Sequence, residues 1–276
     1  MKKILIPTDF SLSSIQTINN VIQLFKNESC EFYLFNAYTC GTSGLNAIEM
    51  LQADDEWFEK PKDESLKQLG KLVELYTFKS NYPKHTFNAI SECINLIEGI
   101  KNTILKIDAD LVILSNTAEK TIGKITENIL ESIRTCPILI VPPHASNGKH
   151  IQLTIASDFK QKINTSEIEK FCKTLDNTNF EIGILVLEEQ NTLSNESITN
   201  LESLITYLKR YSKTSIDLEY AKSSKDLEDY AISHLDDIIC VIDKKPDLFR
   251  KIGLYKSNVI STLGQLRTNT VLTIHQ

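Results

Sequence analysis

The chain has 276 residues, of which 41% are apolar and 24% charged, so it can bury one large core or two ordinary ones, and usual domain sizes favour two. A formal charge of −6, with no basic stripe carrying interleaved aromatics, excludes a protein whose main affinity is for nucleic-acid phosphates. No apolar run approaches a membrane span, and Ile4, Leu5 and Ile6 are too few for a signal-peptide core, so the expectation is a cytoplasmic protein with no membrane partner.

Residues Lys2 to Ser11, KKILIPTDFS, open the chain as a short buried strand that stops at Pro-Thr-Asp. Ser11 to Ser14 then offer hydroxyls to cap the helix that follows, and Asp9 stands either as a turn and cap residue or where a ligand beyond the strand would be met. Ile15, Ile18, Val21, Ile22 and Phe25 form one helical stripe before the strand from Glu31 to Ala37. A Gly-Ser-Thr loop from Cys40 to Leu45 leads into a longer helical region, interrupted at Pro61, whose inward set is Leu66, Leu69, Leu72, Val73 and Leu75. Strand Lys84 to Ile90, helix Cys93 to Leu105, strand Asp110 to Leu114, helix Gly123 to Ile133 and strand Pro137 to Val141 complete the first half. Strands separated by helices predict a right-handed, doubly wound parallel sheet.

The second half repeats the first. IQLTIASDFK at Ile151 to Lys160 echoes KILIPTDFS, HLDDIICVID at His234 to Asp243 echoes IDADLVILS, and TVLTIH echoes PILIV. Between these lie helices at Ser166 to Leu175, Ile198 to Tyr211, Lys225 to His234 and Lys256 to Leu266, with strands at Phe180 to Leu187 and Ser215 to Tyr220. The join falls in the Pro-, Ser-, Asn- and Gly-bearing stretch Pro142 to Lys149, giving domains at 1–146 and 147–276.

Catalytic signatures are absent. The six cysteines have no CxxC spacing and read as reduced small hydrophobes, while the five histidines show no HExxH pattern, so no metal is expected. Neither a G-x-S-x-G elbow nor a P-loop is present, and Trp57 and Phe58 read as packing or partner contacts.

ILIPTDFS, an ADLVIL strand ending in a polar turn, and a helix leading into CPILIVPP resemble the universal stress protein family, over the whole first half and more weakly over the second. The resemblance implies an adenine nucleotide alpha hydrolase-like α/β fold: two tandem five-stranded parallel sheets of order 3-2-1-4-5, paired through their fifth strands as an intrachain pseudo-dimer. It also implies that Asp9 would meet adenosine, with Pro7, Thr8, Asn36 and Ala37 lining the same cleft. Phosphates would be held by a Gly-x-x-Gly pair and a later Gly-Ser/Thr, because bare glycines let backbone N–H groups approach and the next helix N-terminus favours an anion.

That glycine signature has decayed in both halves. Gly123 matches the third glycine, but Lys124 replaces Ser/Thr, and the first two glycines should fall at Asp110 and Ile113, inside a strand. In the second half the matching positions are Asp243, Pro246, Lys256 and Ser257; Asp243 and Asp247 would repel phosphate and Pro246 removes a donor. The vestigial site therefore comprises Pro7, Thr8, Asp9, Asn36, Ala37, Ser115, Thr117 and Gly123, with Ser157, Asp158 and Ser257 in the second half. Lys120, Lys124, Lys244 and Lys245 are either anion-holding point charges or solvated surface residues. The expected function is a stress-associated regulatory or interaction protein with an unidentified protein partner, no catalytic residues and no bound cofactor. The alternative is an ATP- or AMP-binding member with slow or no hydrolysis. A homodimer through another face is the further assembly to consider.

Overall fold

Strand β1 (Lys2–Pro7) buries Ile4, Leu5 and Ile6, which face alternate sides and so require an apolar layer on each face of the sheet. The computed structural model describes residues 1–39, 55–79, 82–116, 123–145, 151–212, 214–243 and 258–276. After β1 the first lobe runs α1 (Leu12–Leu24), β2 (Cys30–Tyr38), α2 (Asp55–Lys79), β3 (His85–Cys93), α3 (Leu96–Ile107), β4 (Leu111–Ser115), α4 (Lys124–Ser132) and β5 (Ile138–Val141). The second lobe runs β6 (Ile151–Ser157), α5 (Ser166–Thr174), β7 (Phe180–Val186), a short 3-10 turn at Gln190–Thr192, α6 (Asn195–Leu208), β8 (Asp217–Tyr220), α7 (Ser224–Ser233), β9 (Ile238–Asp243), α8 (Asn258–Gln265) and β10 (Thr270–His275).

The strands form one ten-stranded sheet of order β3-β2-β1-β4-β5-β10-β9-β6-β7-β8. Each lobe keeps the expected order about its own first strand, and every pairing within a lobe is parallel. The lobes meet where β5 and β10 pair antiparallel, Val271 opposite Ile140, Leu272 opposite Leu139 and Thr273 opposite Ile138. This junction relates the repeats by an approximate two-fold axis and covers two apolar strands that would otherwise be open edges. One apolar layer packs residues of α1, α2, α5 and α6 on the sheet, the other residues of α3, α4, α7 and α8, and each runs across the junction. The expected join between the halves falls between β5 and β6, and residues 146–150 lie outside the described residues.

Polar contacts reinforce the junction. Glu28, fully buried, accepts hydrogen bonds from the Asn177 amide N–H at 2.9 Å, the Asn177 Nδ2 at 2.9 Å and the Thr178 hydroxyl at 2.8 Å. On one side of the pseudo-axis, Lys170 Nζ donates to the Ala109 carbonyl at 2.8 Å, and Lys2 Nζ meets the Asp176 carboxylate at 2.7 Å. Asn20 and Ile151 stand at the counterpart positions, too short to fill the same space, and there a cavity of about 280 Å³ lies between the lobes.

Local details differ from the sequence expectation. Helix α2 continues through Pro61, which lies in its second turn and interrupts one backbone bond without ending the helix. Ser65, Leu69, Leu72 and Tyr76 are its buried row, whereas Leu66 is exposed because it lies off that 3.6-residue stripe. Cys93 belongs to the end of β3, since Asn95 caps α3 by accepting from the Ile97 amide, and Leu105 is exposed on α3. The Cys40 to Leu45 loop lies outside the described residues.

Glu28→Ala removes the buried acceptor of three hydrogen bonds from Asn177 and Thr178, whose donors water can partly reach, and is expected to destabilise the protein by about 1–3 kcal/mol in urea unfolding. A loss under about 0.5 kcal/mol would show that these bonds do not hold the lobes.

Candidate functional site

The carboxyl end of β1 turns into α1 by a device used twice in the chain. Phe10 has φ of 62°, and its repeat counterpart Phe159 has φ of 52°, both in the left-handed region that side chains with a Cβ rarely adopt. The Phe10 N–H donates to the Thr8 hydroxyl at 3.1 Å and the Ser11 N–H to Asp9 Oδ1 at 3.0 Å. In the second lobe the Phe159 N–H donates to the Ser157 hydroxyl at 3.2 Å and the Lys160 N–H to Asp158 Oδ1 at 3.3 Å. A strained residue of this kind costs on the order of 1–3 kcal/mol, and it persists because the preceding hydroxyl and carboxylate satisfy the turn's amides.

Asp9 is thus a turn residue. Partial burial opposes its ionisation, but hydrogen bonds from the Ser11 hydroxyl and amide and the Ser14 hydroxyl outweigh it and hold the carboxyl below its usual range. Ser11 caps α1 through the Ser14 amide, as its position before the apolar stripe predicts, and Thr8 Oγ1 lies 3.0 Å from Ser14 Oγ.

The residues expected to wall a cleft are committed in the same way. Asn36 Nδ2 donates to the Thr8 carbonyl at 2.8 Å, while its Oδ1 accepts from Ser65 at 2.8 Å, and Ser65 lies 2.7 Å from Ser91. Ser115 Oγ lies 3.0 Å from both Ser13 Oγ and Thr17 Oγ1. Pro7 and Ala37 are half-buried at the ends of β1 and β2. Gly123 caps α4 with φ of −59°, and an added Cβ there would meet nothing within 4 Å, so neither backbone conformation nor packing requires glycine. The structure therefore brings Pro7, Thr8, Asp9, Asn36, Ala37 and Ser115 to one end of the first lobe's sheet. Thr117, Ser257, Lys120, Lys244 and Lys245 lie outside the described residues, and Lys124 is exposed.

In the second lobe the decisive residue comes from the first. The guanidinium of Arg134, just before β5, pairs with the Asp243 carboxylate at the end of β9, and its Nη2 also donates to the Asp243 carbonyl at 2.8 Å. Asp243 is 2% exposed. Its negative charge, expected to repel a phosphate, is matched across the junction by the guanidinium. Sequence reasoning missed Arg134, Ser13, Ser65 and Ser91. The parallel between Ile133-Arg134-Thr135 and Leu266-Arg267-Thr268 was the available signal for the arginine.

Four of the described cysteines are buried and Cys93 is exposed, and among the described residues no group of three or more His, Cys, Asp or Glu side chains is placed to hold a metal ion. Among the described residues no helix is long and apolar enough to cross a membrane.

Arg134→Ala leaves a buried carboxylate unpaired and should cost about 2–4 kcal/mol in urea unfolding, with Arg134→Ala/Asp243→Asn recovering part of the loss. An undiminished deficit in the double variant would show that packing, not charge, is what Arg134 supplies. Folding lowers the Asp9 pKa, so its carboxylate contributes stability above its unfolded value of about 4, which is lost as the pH falls through the lower folded value. Melting temperatures of wild type and Asp9→Ala should therefore converge in acid, and a gap that stays constant down to about pH 2.5 would contradict this account.

Comparison with known proteins extends these observations. A sequence model of the universal stress protein family matches residues 1–142. Among solved structures, a universal stress protein from Archaeoglobus fulgidus superposes with a TM-score of 0.72 and 12% identity, over 99% of this chain and 98% of that one. A functionally unknown protein from Pseudomonas aeruginosa superposes with a TM-score of 0.59 and 10% identity, over 100% of this chain and 92% of that one. A universal stress protein family member from Arabidopsis thaliana with AMP bound aligns over 51% of this chain and 92% of that one, with a TM-score of 0.36 and 11% identity. No match was found among curated protein sequences. With the family match spanning half of its length and the duplicated strand order completing the rest, the chain belongs to the universal stress protein family.

Proposed function

We propose that this chain is a stress-associated regulatory or interaction protein of the universal stress protein type, built of domains 1–146 and 147–276 paired as an intrachain pseudo-dimer, and acting through protein contacts without tight nucleotide binding. One observation carries the reading: the polar groups at the carboxyl ends of the strands are bonded to the fold itself. Thr8, Asp9, Asn36 and Ser115 serve turns, caps and neighbouring side chains, and Asp243 is paired with Arg134. The glycine signature that would supply backbone donors is missing from the sequence of both halves. Each charge-assisted hydrogen bond contributes roughly 1.5–3 kcal/mol, so losing two or three of them weakens triphosphate binding by about a hundredfold or more.

Asp9 supports the second reading, an ATP- or AMP-binding member, because its carboxyl is held ionised at the edge of the cleft, where an adenosine hydroxyl would be accepted. Calorimetry with ATP or AMP and magnesium separates the two. The interaction reading predicts no binding tighter than about 100 µM, and submicromolar affinity abolished by Asp9→Ala would overturn it.

A further inference from the structure

In the second lobe three buried oxygens meet at a place where the first lobe has Leu5. Thr154 on β6, Tyr230 on α7 and Asp237 just before β9 are each at most 7% exposed. Thr154 Oγ1 lies 3.1 Å from Asp237 Oδ2 and 3.1 Å from the Tyr230 hydroxyl, and that hydroxyl lies 3.3 Å from the same Oδ2, so the three atoms close a triangle. Gln152 Nε2 also donates to Thr154 Oγ1, at 3.2 Å. Register makes Leu5 the counterpart of Thr154, since Leu5 pairs with Val112 as Thr154 pairs with Ile239. Asp110, which precedes β4 as Asp237 precedes β9, is half-buried and accepts from the Lys3 backbone N–H at 2.9 Å.

Proton counting separates the two states of Asp237. With the carboxylate ionised, the Thr154 and Tyr230 hydroxyls supply two protons for three contacts, so one contact sets lone pairs against each other. A proton on Asp237 gives each contact its own. Burial pushes the Asp237 carboxyl above its usual range. Of the charged groups nearby, His234 beyond α7 favours the carboxylate and Asp236 beside it opposes it, while Glu219 on β8 stands 3.8 Å from His234 Nε2. The strands on either side bring neutral groups: Gln152 and Thr154 from β6, and Asn269 ahead of β10, whose Nδ2 donates to the Ala231 and His234 carbonyls.

We propose that Asp237 is the proton-binding group of a clamp that fastens α7 to the sheet of the second lobe as the pH falls. Tyr230 is the link, because its hydroxyl reaches the sheet from α7 while its ring stacks on His234 with 4.0 Å between centroids. A group whose folded pKa is raised contributes stability that is present in acid and lost as the pH rises through the folded value. The sign is opposite to that of Asp9.

Carbon-13 NMR of the side-chain carboxyls of the full chain is the first test, and the Asp237 signal is expected to titrate with a midpoint above about 4, the value of a free aspartate. A midpoint at or below that value overturns the proposal. Asp237→Asn keeps the shape and cannot ionise. Its melting temperature minus that of wild type is expected to fall by about 2 °C or more between about pH 8 and pH 5, and to fall likewise when both proteins carry His234→Gln. A difference constant with pH, or one whose pH dependence disappears with the imidazole, overturns the assignment to Asp237. Amide exchange corrected for intrinsic rates reads the clamp itself: protection of α7 should rise toward acid relative to its counterpart α3. Equal change in the two helices would show that protonation does not fasten α7.

Discussion

The antiparallel register of β5 against β10 is the constraint on which the rest depends. Parallel strands end in the same direction, so a lobe alone presents its loops on one edge of the sheet and leaves its fifth strand bare. Turning the second lobe over joins those bare strands and makes the apolar layers continuous. The same reversal sends residues before one fifth strand to the loop end of the other lobe. Arg134 reaches Asp243, and Asn116 reaches the Arg267 backbone, for this single topological reason. Glu28 obeys the same symmetry, for it meets Asn177 and Thr178 in the turn that repeats its own.

The strand-to-helix turn shows how site chemistry and folding draw on the same atoms. A hydroxyl followed by Asp and Phe recurs in both lobes with the phenylalanine held at positive φ. An Asp in this position offers a carboxylate toward any ligand, yet one of its oxygens is already used to bond the second amide ahead. Asp9 and Asp158 therefore serve the turn whether or not a ligand is met.

Most of the architecture was legible because it rests on repetition and burial. The echoes of KILIPTDFS and DLVIL located both lobes, and β1, β4, β9 and β10 read as apolar runs because they are covered on both faces. Boundaries failed where a local competitor intervened: Asn95 captured the start of α3, and Pro61 was absorbed early in α2. The cleft was half legible. Asp9 was named from the strand-to-helix turn and Thr8, Asn36 and Ser115 with the resemblance in hand, but the bond of Ser115 to Ser13 and that of Asn36 to Ser65, which meets Ser91, required tertiary geometry. The repeat marks Arg134 beside Arg267, but its pairing was not legible because its partner lies 109 residues away, across an interface whose direction the repeat alone does not state.

Native-state hydrogen exchange along β5 and β10 tests the central claim most directly. If the junction is the middle of one cooperative sheet, the amides of Ile138–Val141 and Thr270–His275 will exchange as slowly as those of β1 and β4, through global unfolding. Rapid exchange confined to β5 and β10, at rates typical of edge strands, would mean that the lobes part readily and would contradict the account.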